Sequence, residues 1–172
     1  MVSALSRVEA IDRSCVRWIG RHRREPLDKL FILGSHSGQV GIPWTGVLLV
    51  LHLASPAGKR ISPPRAFAIT VGTWLLAHLA KRGDDRLRPC QAGDLDPLVR
   101  CPKSSSLPSD EAACAFAAAA YAARAIPALR PQLFAAAAFT AASRVYVGAH
   151  YPTDVLAGAL LGAATGRAAS NV

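Results

Sequence analysis

An arginine, a histidine and an aspartate fall within twelve residues in the stretch Ser143-Arg144-Val145-Tyr146-Val147-Gly148-Ala149-His150-Tyr151-Pro152-Thr153-Asp154. If a helix starts near Tyr151, Asp154 lies about one turn beyond His150. A carboxylate there can take the proton of one ring nitrogen and leave the other bare, which makes the imidazole a general base or a nucleophile. Arg144 offers a planar fork suited to an oxyanion or a phosphate. The same three residues also suit a helix-capping aspartate, a hydrogen-bonded core histidine and an arginine that snorkels to the surface. The rest of the chain has to decide between these readings.

The elements that must position these side chains are alanine-rich. Of the 172 residues 51% are hydrophobic but only 6% aromatic, and the net charge is +9. One domain's worth of chain is expected. The charge admits anionic lipid or phosphorylated substrates. Nucleic acid is not expected as a partner, because no aromatic stacking platform or reading motif gathers the basic residues. Met1 to Glu25 is charged throughout, so no cleavable signal sequence is evident, and the terminal Ser170-Asn171-Val172 carries no lipidation motif. Cys15, Cys90, Cys101 and Cys114 contain no Cys-x-x-Cys pair, which argues against zinc. Ordinary thiols are the default, although Cys90 and Cys101 share one polar segment and would pair in an oxidising compartment.

Residues 3 to 24 alternate Leu5, Val8, Ile11, Cys15, Trp18 and Ile19 with Arg7, Arg13, Arg17 and Arg21 at helical spacing. This predicts an amphipathic helix lying on an anionic bilayer surface, ended by Pro26. Gly34-Ser35-His36-Ser37-Gly38 reads as a turn, with His36 structural. Five apolar runs follow, over 40–54, 66–80, 112–129, 133–147 and 155–165. Each is shorter than the ~20 residues that normally span a bilayer. They are almost free of charge, their polar residues lie between them, and Gly158, Gly162 and Gly166 recur every four residues as in close-packed membrane helices. The expected fold is all-α: a polytopic membrane helical bundle of about five short transmembrane helices plus the N-terminal interfacial helix. The domain division is 1–39 for the interfacial segment and 40–172 for the membrane-embedded core.

Five antiparallel crossings put Lys81 to Arg88, Ser109 to Glu111, Arg144 and His150 to Asp154 on one side. Ser109 reads as an N-cap, with Asp110 and Glu111 in the first helical turn. Three cations, a helix N-terminus and a His–Asp pair converging on one patch describe a phosphate site with a nucleophile for phosphorus. That side also collects 14 of the 20 basic residues, so the positive-inside rule places it in the cytoplasm.

These residues resemble the three signature motifs of the type 2 phosphatidic acid phosphatase superfamily, which also includes vanadium haloperoxidases. Lys81 to Arg88-Pro89 matches the first motif in full, and Ser143-Arg144 with His150 and Asp154 matches the third in full. The second, normally Pro-Ser-Gly-His, is only half matched by Pro108-Ser109-Asp110-Glu111. The resemblance implies a lipid phosphatase with no cofactor and no metal, in which His150 forms a phosphohistidine and Asp154 orients it. Lys81, Arg88, Ser109 and Arg144 would bind the phosphoryl oxygens. Glu111 stands where the family places its leaving-group acid, with Asp110 as its neighbour. The small size, the Ala/Arg-rich composition and the substituted second motif resemble the actinobacterial branch that removes the 5-phosphate from decaprenylphosphoryl-5-phosphoribose. Phosphatases of polyprenyl diphosphate or phosphatidylglycerol phosphate, and a catalytically inactive lipid-binding membrane protein, are the alternatives.

Overall fold

The computed structural model describes residues 4–36 and 41–169. Among the described residues eight α-helices follow one another: α1 (Ala4–Arg21), α2 (Glu25–His36), α3 (Ile42–Ala54), α4 (Pro63–Ala80), α5 (Pro89–Ala92), α6 (Asp110–Ala125), α7 (Arg130–Tyr146) and α8 (Pro152–Ala168). No strand occurs among the described residues. Proline in the first turn marks the starts of α3, α4, α7 and α8, where its fixed φ suits the helix and its missing N–H costs nothing. At α6 the start is set by Ser109 instead, whose hydroxyl accepts from the Ala112 N–H at 3.3 Å.

Helix α6 is the axis of the bundle, packed against α3, α4, α7 and α8 and buried along most of its length. Its neighbours reach it because the contact surfaces are alanine and glycine. A methyl group added to Gly158, Gly162 or Gly166 of α8 would land on the backbone carbonyl oxygens of Ser109, Ala113 and Ala117. The four-residue glycine spacing is therefore a backbone-to-backbone seam between α6 and α8. Large apolar side chains are turned outward instead: Leu53 is 73% exposed, Ile42 68% and Leu160 66%. A bundle with alanine inside and leucine outside suits a hydrocarbon solvent better than water. No helix among the described residues is long and apolar enough to cross a membrane by hydropathy.

Two expectations change. The segment read as a turn is helical through His36, and Gly34 serves close packing, since a β-carbon there would meet the Phe139 ring and the Ser143 side chain of α7. Pro26 thus lies in the first turn of α2 rather than only ending α1. Ser37 and Gly38, and the 39/40 division, lie outside the described residues. Helix α1 does present Val8, Ile11 and Trp18 outward, yet it also turns Asp12 inward, 1% exposed.

Candidate active site

The sequence-selected residues come together at one end of the bundle. Lys81 ends α4 in a tight turn, Arg88 precedes α5, Ser109 caps α6, Arg144 sits in the last turn of α7, and His150 lies in the loop before α8. His150 and Asp154 are both fully buried, and Lys81, Arg88 and Arg144 are each no more than 5% exposed. Burying this many charges is tolerable only with partners at fixed geometry.

The contacts of His150 define its chemistry. Nδ1 lies 2.8 Å from the Ser106 carbonyl, which can only accept, so Nδ1 carries the proton. Nε2 is then the bare nitrogen, and it accepts from Arg88 Nη1 at 2.9 Å. This corrects the expected role of Asp154, which lies 3.8 Å from Nδ1 and does not hold that proton directly. Asp154 acts through Ser106, whose hydroxyl donates to Asp154 Oδ2 at 2.5 Å. The same oxygen accepts the Tyr151 N–H at 2.8 Å, so Asp154 is also the helix-capping residue that the cautious reading of its position foresaw.

The cations form a second layer. Arg88 spends its fork on the serine run, donating to the carbonyls of Ser104 at 2.9 Å and Ser105 at 3.2 Å and to the Ser104 hydroxyl at 3.1 Å. Lys81 pairs with Asp110 at 3.2 Å and donates to the Ser105 carbonyl at 3.2 Å. Burial lowers the Lys81 pKa below its ordinary value, Asp110 opposes that, and Arg88 adds to it. Burial likewise lowers Arg88, against Glu111 and Asp110. Arg144 pairs with Glu111 at 2.7 Å and donates to the Ser35 hydroxyl at 2.5 Å, while its Nε is buried without a hydrogen-bond partner. Glu111 Oε2 also stands 3.4 Å from His150 Nε2, in the space facing the bare nitrogen. Ser109 is occupied with capping and with Glu111 Oε2 at 3.4 Å.

Asp110, Glu111 and His150 bring ligand-type atoms within 4.8 Å of one another. They do not fit a metal ion well, because Lys81 and Arg144 already neutralise both carboxylates and would repel it. A phosphoryl group fits better. Its oxygens can replace carboxylate oxygens on the same cations and give Arg144 Nε an acceptor.

Sequence reasoning assigned no role to Ser104, Ser105 and Ser106. It also missed Arg86, whose Nη1 donates to Asp154 Oδ1 at 2.7 Å. The run of three serines just before the second motif was the available signal; nothing local marked Arg86. The Cys90–Cys101 disulfide, which the default of free thiols did not foresee, ties α5 to the segment leading into these serines.

A family model described as the PAP2 superfamily matches residues 65–172. Among curated proteins, the Lipid A 1-phosphatase of Rhizobium johnstonii is 37% identical over 102 residues, covering 56% of this chain and 42% of that protein. The Lipid A 1-phosphatase of Rhizobium etli is 37% identical over 101 residues, covering 56% and 44% respectively. The matches thus span less than half the length of those relatives. Among solved structures, a transmembrane PAP2 type phosphatidylglycerolphosphate phosphatase from Bacillus subtilis has a TM-score of 0.75 at 22% identity, covering 95% of this chain and 85% of that one. LpxE from Aquifex aeolicus has a TM-score of 0.77 at 24% identity, covering 94% and 96%. Both share this fold.

Proposed function

The chain belongs to the PAP2 superfamily, and from that premise we propose that it is a metal-independent phosphatase of a membrane lipid phosphomonoester, working through a phosphohistidine on His150. One observation carries the reading: a fully buried imidazole with Nδ1–H held by a carbonyl and Nε2 unprotonated against Arg88, with buried Lys81 and Arg144 held nearby on Asp110 and Glu111. In the first step Nε2 bonds to phosphorus and the P–O bond to the lipid alcohol breaks, with a proton delivered to the leaving oxygen. In the second, water attacks phosphorus, the N–P bond breaks, and phosphate and free His150 are restored. Lys81, Arg88 and Arg144 bind the transferring oxygens, Ser109 orders the α6 end of the site, and Ser106 with Asp154 holds the ring.

For the substrate we take a polyprenyl-linked phosphomonoester first, with decaprenylphosphoryl-5-phosphoribose, a cell-wall arabinan precursor, as its best representative. The composition and the substituted second motif support it. An alkoxide leaves badly without a proton, and Glu111, beside Nε2, is then the donor, with Asp110 behind it. The ion pair of Glu111 with Arg144 favours a second reading, a diphosphate whose leaving group needs no acid, and the relatives named as Lipid A 1-phosphatases are compatible with a lipid phosphate of another kind. Phosphate release by the full chain in detergent, over a panel of polyprenyl ribose 5-phosphate, polyprenyl diphosphate, phosphatidylglycerol phosphate and lipid A, separates these. Glu111→Gln should cost roughly a hundredfold on an ester and far less on a diphosphate. No release from any member would leave the inactive lipid-binding alternative.

We place the protein in the bacterial cell membrane, with α3, α4, α6, α7 and α8 as the five short spans and residues 1–39 at the interface. Counting basic residues favours a cytoplasmic site. The disulfide beside the serine run that supports Arg88 and His150 instead favours an oxidising, outer-face location, and it outweighs the count because α1 arginines are spent locally, as in the Arg17–Asp94 pair at 2.6 Å. Impermeant reductant followed by impermeant maleimide should label Cys101 on intact cells; protection from both would return the site to the cytoplasm.

A further inference from the structure

Asp12 is a fully buried carboxylate in a basic surface helix, and the phosphoryl-transfer steps do not use it. Its Oδ2 accepts from Arg86 Nη2 at 2.5 Å and from the Thr153 hydroxyl at 2.5 Å, and its Oδ1 accepts the Thr153 N–H at 3.1 Å. Thr153 lies in the first turn of α8, one residue before Asp154. Arg86 closes the circuit, with Nη1 on Asp154 Oδ1 at 2.7 Å and on the Thr153 hydroxyl at 2.8 Å, and its guanidinium 4.8 Å from the Tyr151 ring centroid. Burial works against the Arg86 charge, but Asp154 and Asp12 outweigh it and raise its pKa. Arg86 is thus a fixed cation between one carboxylate that serves the nucleophile and another delivered by α1 from far away in sequence.

We propose that Arg86, anchored by Asp12 of α1, is a positioning residue that sets the orientation and effective charge of Asp154 behind His150, so that the seating of α1 is part of a competent site. The inference rests on the phosphohistidine reading and adds residues outside the matched motif positions. Its logic is electrostatic. Asp12, Arg86 and Asp154 together carry one net negative charge towards the imidazole. Removing Arg86 leaves two, and removing the Asp12 charge leaves none. The other charged groups facing His150 are the same in every variant: Arg88 before α5, Asp110 and Glu111 of α6, Arg144 of α7 and Lys81 after α4.

The free enzyme must hold His150 neutral to attack, so the acid limb of kcat/KM follows its titration. With Arg86→Gln the extra negative charge favours the imidazolium, and the limb should move to higher pH. With Asp12→Asn the lost negative charge disfavours it, and the limb should move to lower pH. Each displacement should be about half a unit to one unit, the scale for one charge several ångströms away at moderate dielectric. Both variants should lose roughly tenfold in kcat with KM little changed, the usual scale for losing a group that orients a reacting one. The assay uses the full chain in detergent with p-nitrophenyl phosphate, and orthovanadate competition reports phosphate-site binding independently of turnover.

Arg86→Lys keeps the charge and should leave the limb in place even where the rate falls. It also serves as the test where Asp12→Asn does not fold. Limbs that stay put, or move the same way in Arg86→Gln and Asp12→Asn, would reduce both residues to structural supports and overturn the inference. Failure of the underlying reading looks different, because His150→Ala would then turn over normally.

Discussion

The end of the bundle that carries His150 and the end that carries Arg124 are built from the same alanine-rich helices, yet they treat charge in opposite ways. All eleven acids of the chain lie towards the site end, and those at its centre meet buried, committed cations, as Lys81 meets Asp110 and Arg144 meets Glu111. At the far end Lys59, Arg60, Arg65, Arg124, Arg130 and Arg167 are all exposed, with no acid among them. A buried charge demands a particular partner at a particular distance, whereas an exposed one is satisfied by water or a lipid headgroup. The site end is therefore over-determined and intolerant, and the far end is forgiving.

The largest break in that comparison should come from His150→Ala. It removes the bare nitrogen and leaves Arg88 Nη1 and the Ser106 carbonyl each short of a partner. Turnover should fall by at least about a thousandfold, the scale for losing a nucleophile. The acid-labile phosphate trapped on the enzyme by rapid quench should vanish with it. Asp154→Asn should be milder, because the Ser106 carbonyl still fixes the ring. Gly162→Val comes next and acts through the seam that joins the two ends. Its side chain would collide with the Ala113 carbonyl and push α8 off α6, carrying the Ser109–Asp154 backbone contact with it. A loss of about 3 kcal/mol, towards the upper end for overpacking, should appear as a lowered midpoint in detergent thermal unfolding. Gly46→Val, where a β-carbon meets nothing, should do far less.

How much of this was legible follows the same divide. The helices α4, α6, α7 and α8 and their glycine seam could be read because period and residue size are local signals. Lys81, Arg88, Arg144, His150 and Asp154 could be read because each has a helix end to place it. Ser106 and Arg86 could not, because they meet Asp154 from 48 and 68 residues away and no local pattern encodes that meeting. Asp12 was hidden by its own helix. A face pattern that sorts residues into apolar and basic has no place for an acid turned inward. Helix α2 was lost when Pro26 and the Gly-Ser-His-Ser-Gly run were treated as breakers, although proline suits a first turn and Gly34 is needed against Phe139.

A subtler break lies in the protonation of Lys81. Burial lowers its pKa below the ordinary lysine value, with Asp110 holding part of that back. A lysine binds phosphate only while charged, and the charged form is lost as pH rises through the folded-state pKa. Activity should therefore fall on the alkaline side at a pH below that of a free lysine. Lys81→Arg should move this limb upward while lowering the rate severalfold, since a fork replaces a point charge. A limb that does not respond to Lys81→Arg would assign it to the substrate or to another group.

The smallest effect should come from the far end, and its smallness is the test. Arg124, Arg130 and Arg167 line a cavity of about 110 Å³ with Ala120, Ala123 and Phe134, where three like charges face one another without an acid. Replacing all three by Gln removes mutual repulsion and leaves the α6 start untouched, so neither kcat nor the acid limb should move by more than about twofold in detergent, as surface substitutions usually allow. In a membrane the same variant should behave differently. If these arginines hold the far end against an anionic inner leaflet, at about 1 kcal/mol each, their loss should weaken the preference for one orientation and produce a mixed population in cells. Maleimide accessibility of Cys101 after reduction reads that population directly. A variant that loses catalysis in detergent would show that the two ends are coupled after all, and the contrast between a committed end and a forgiving one would fail.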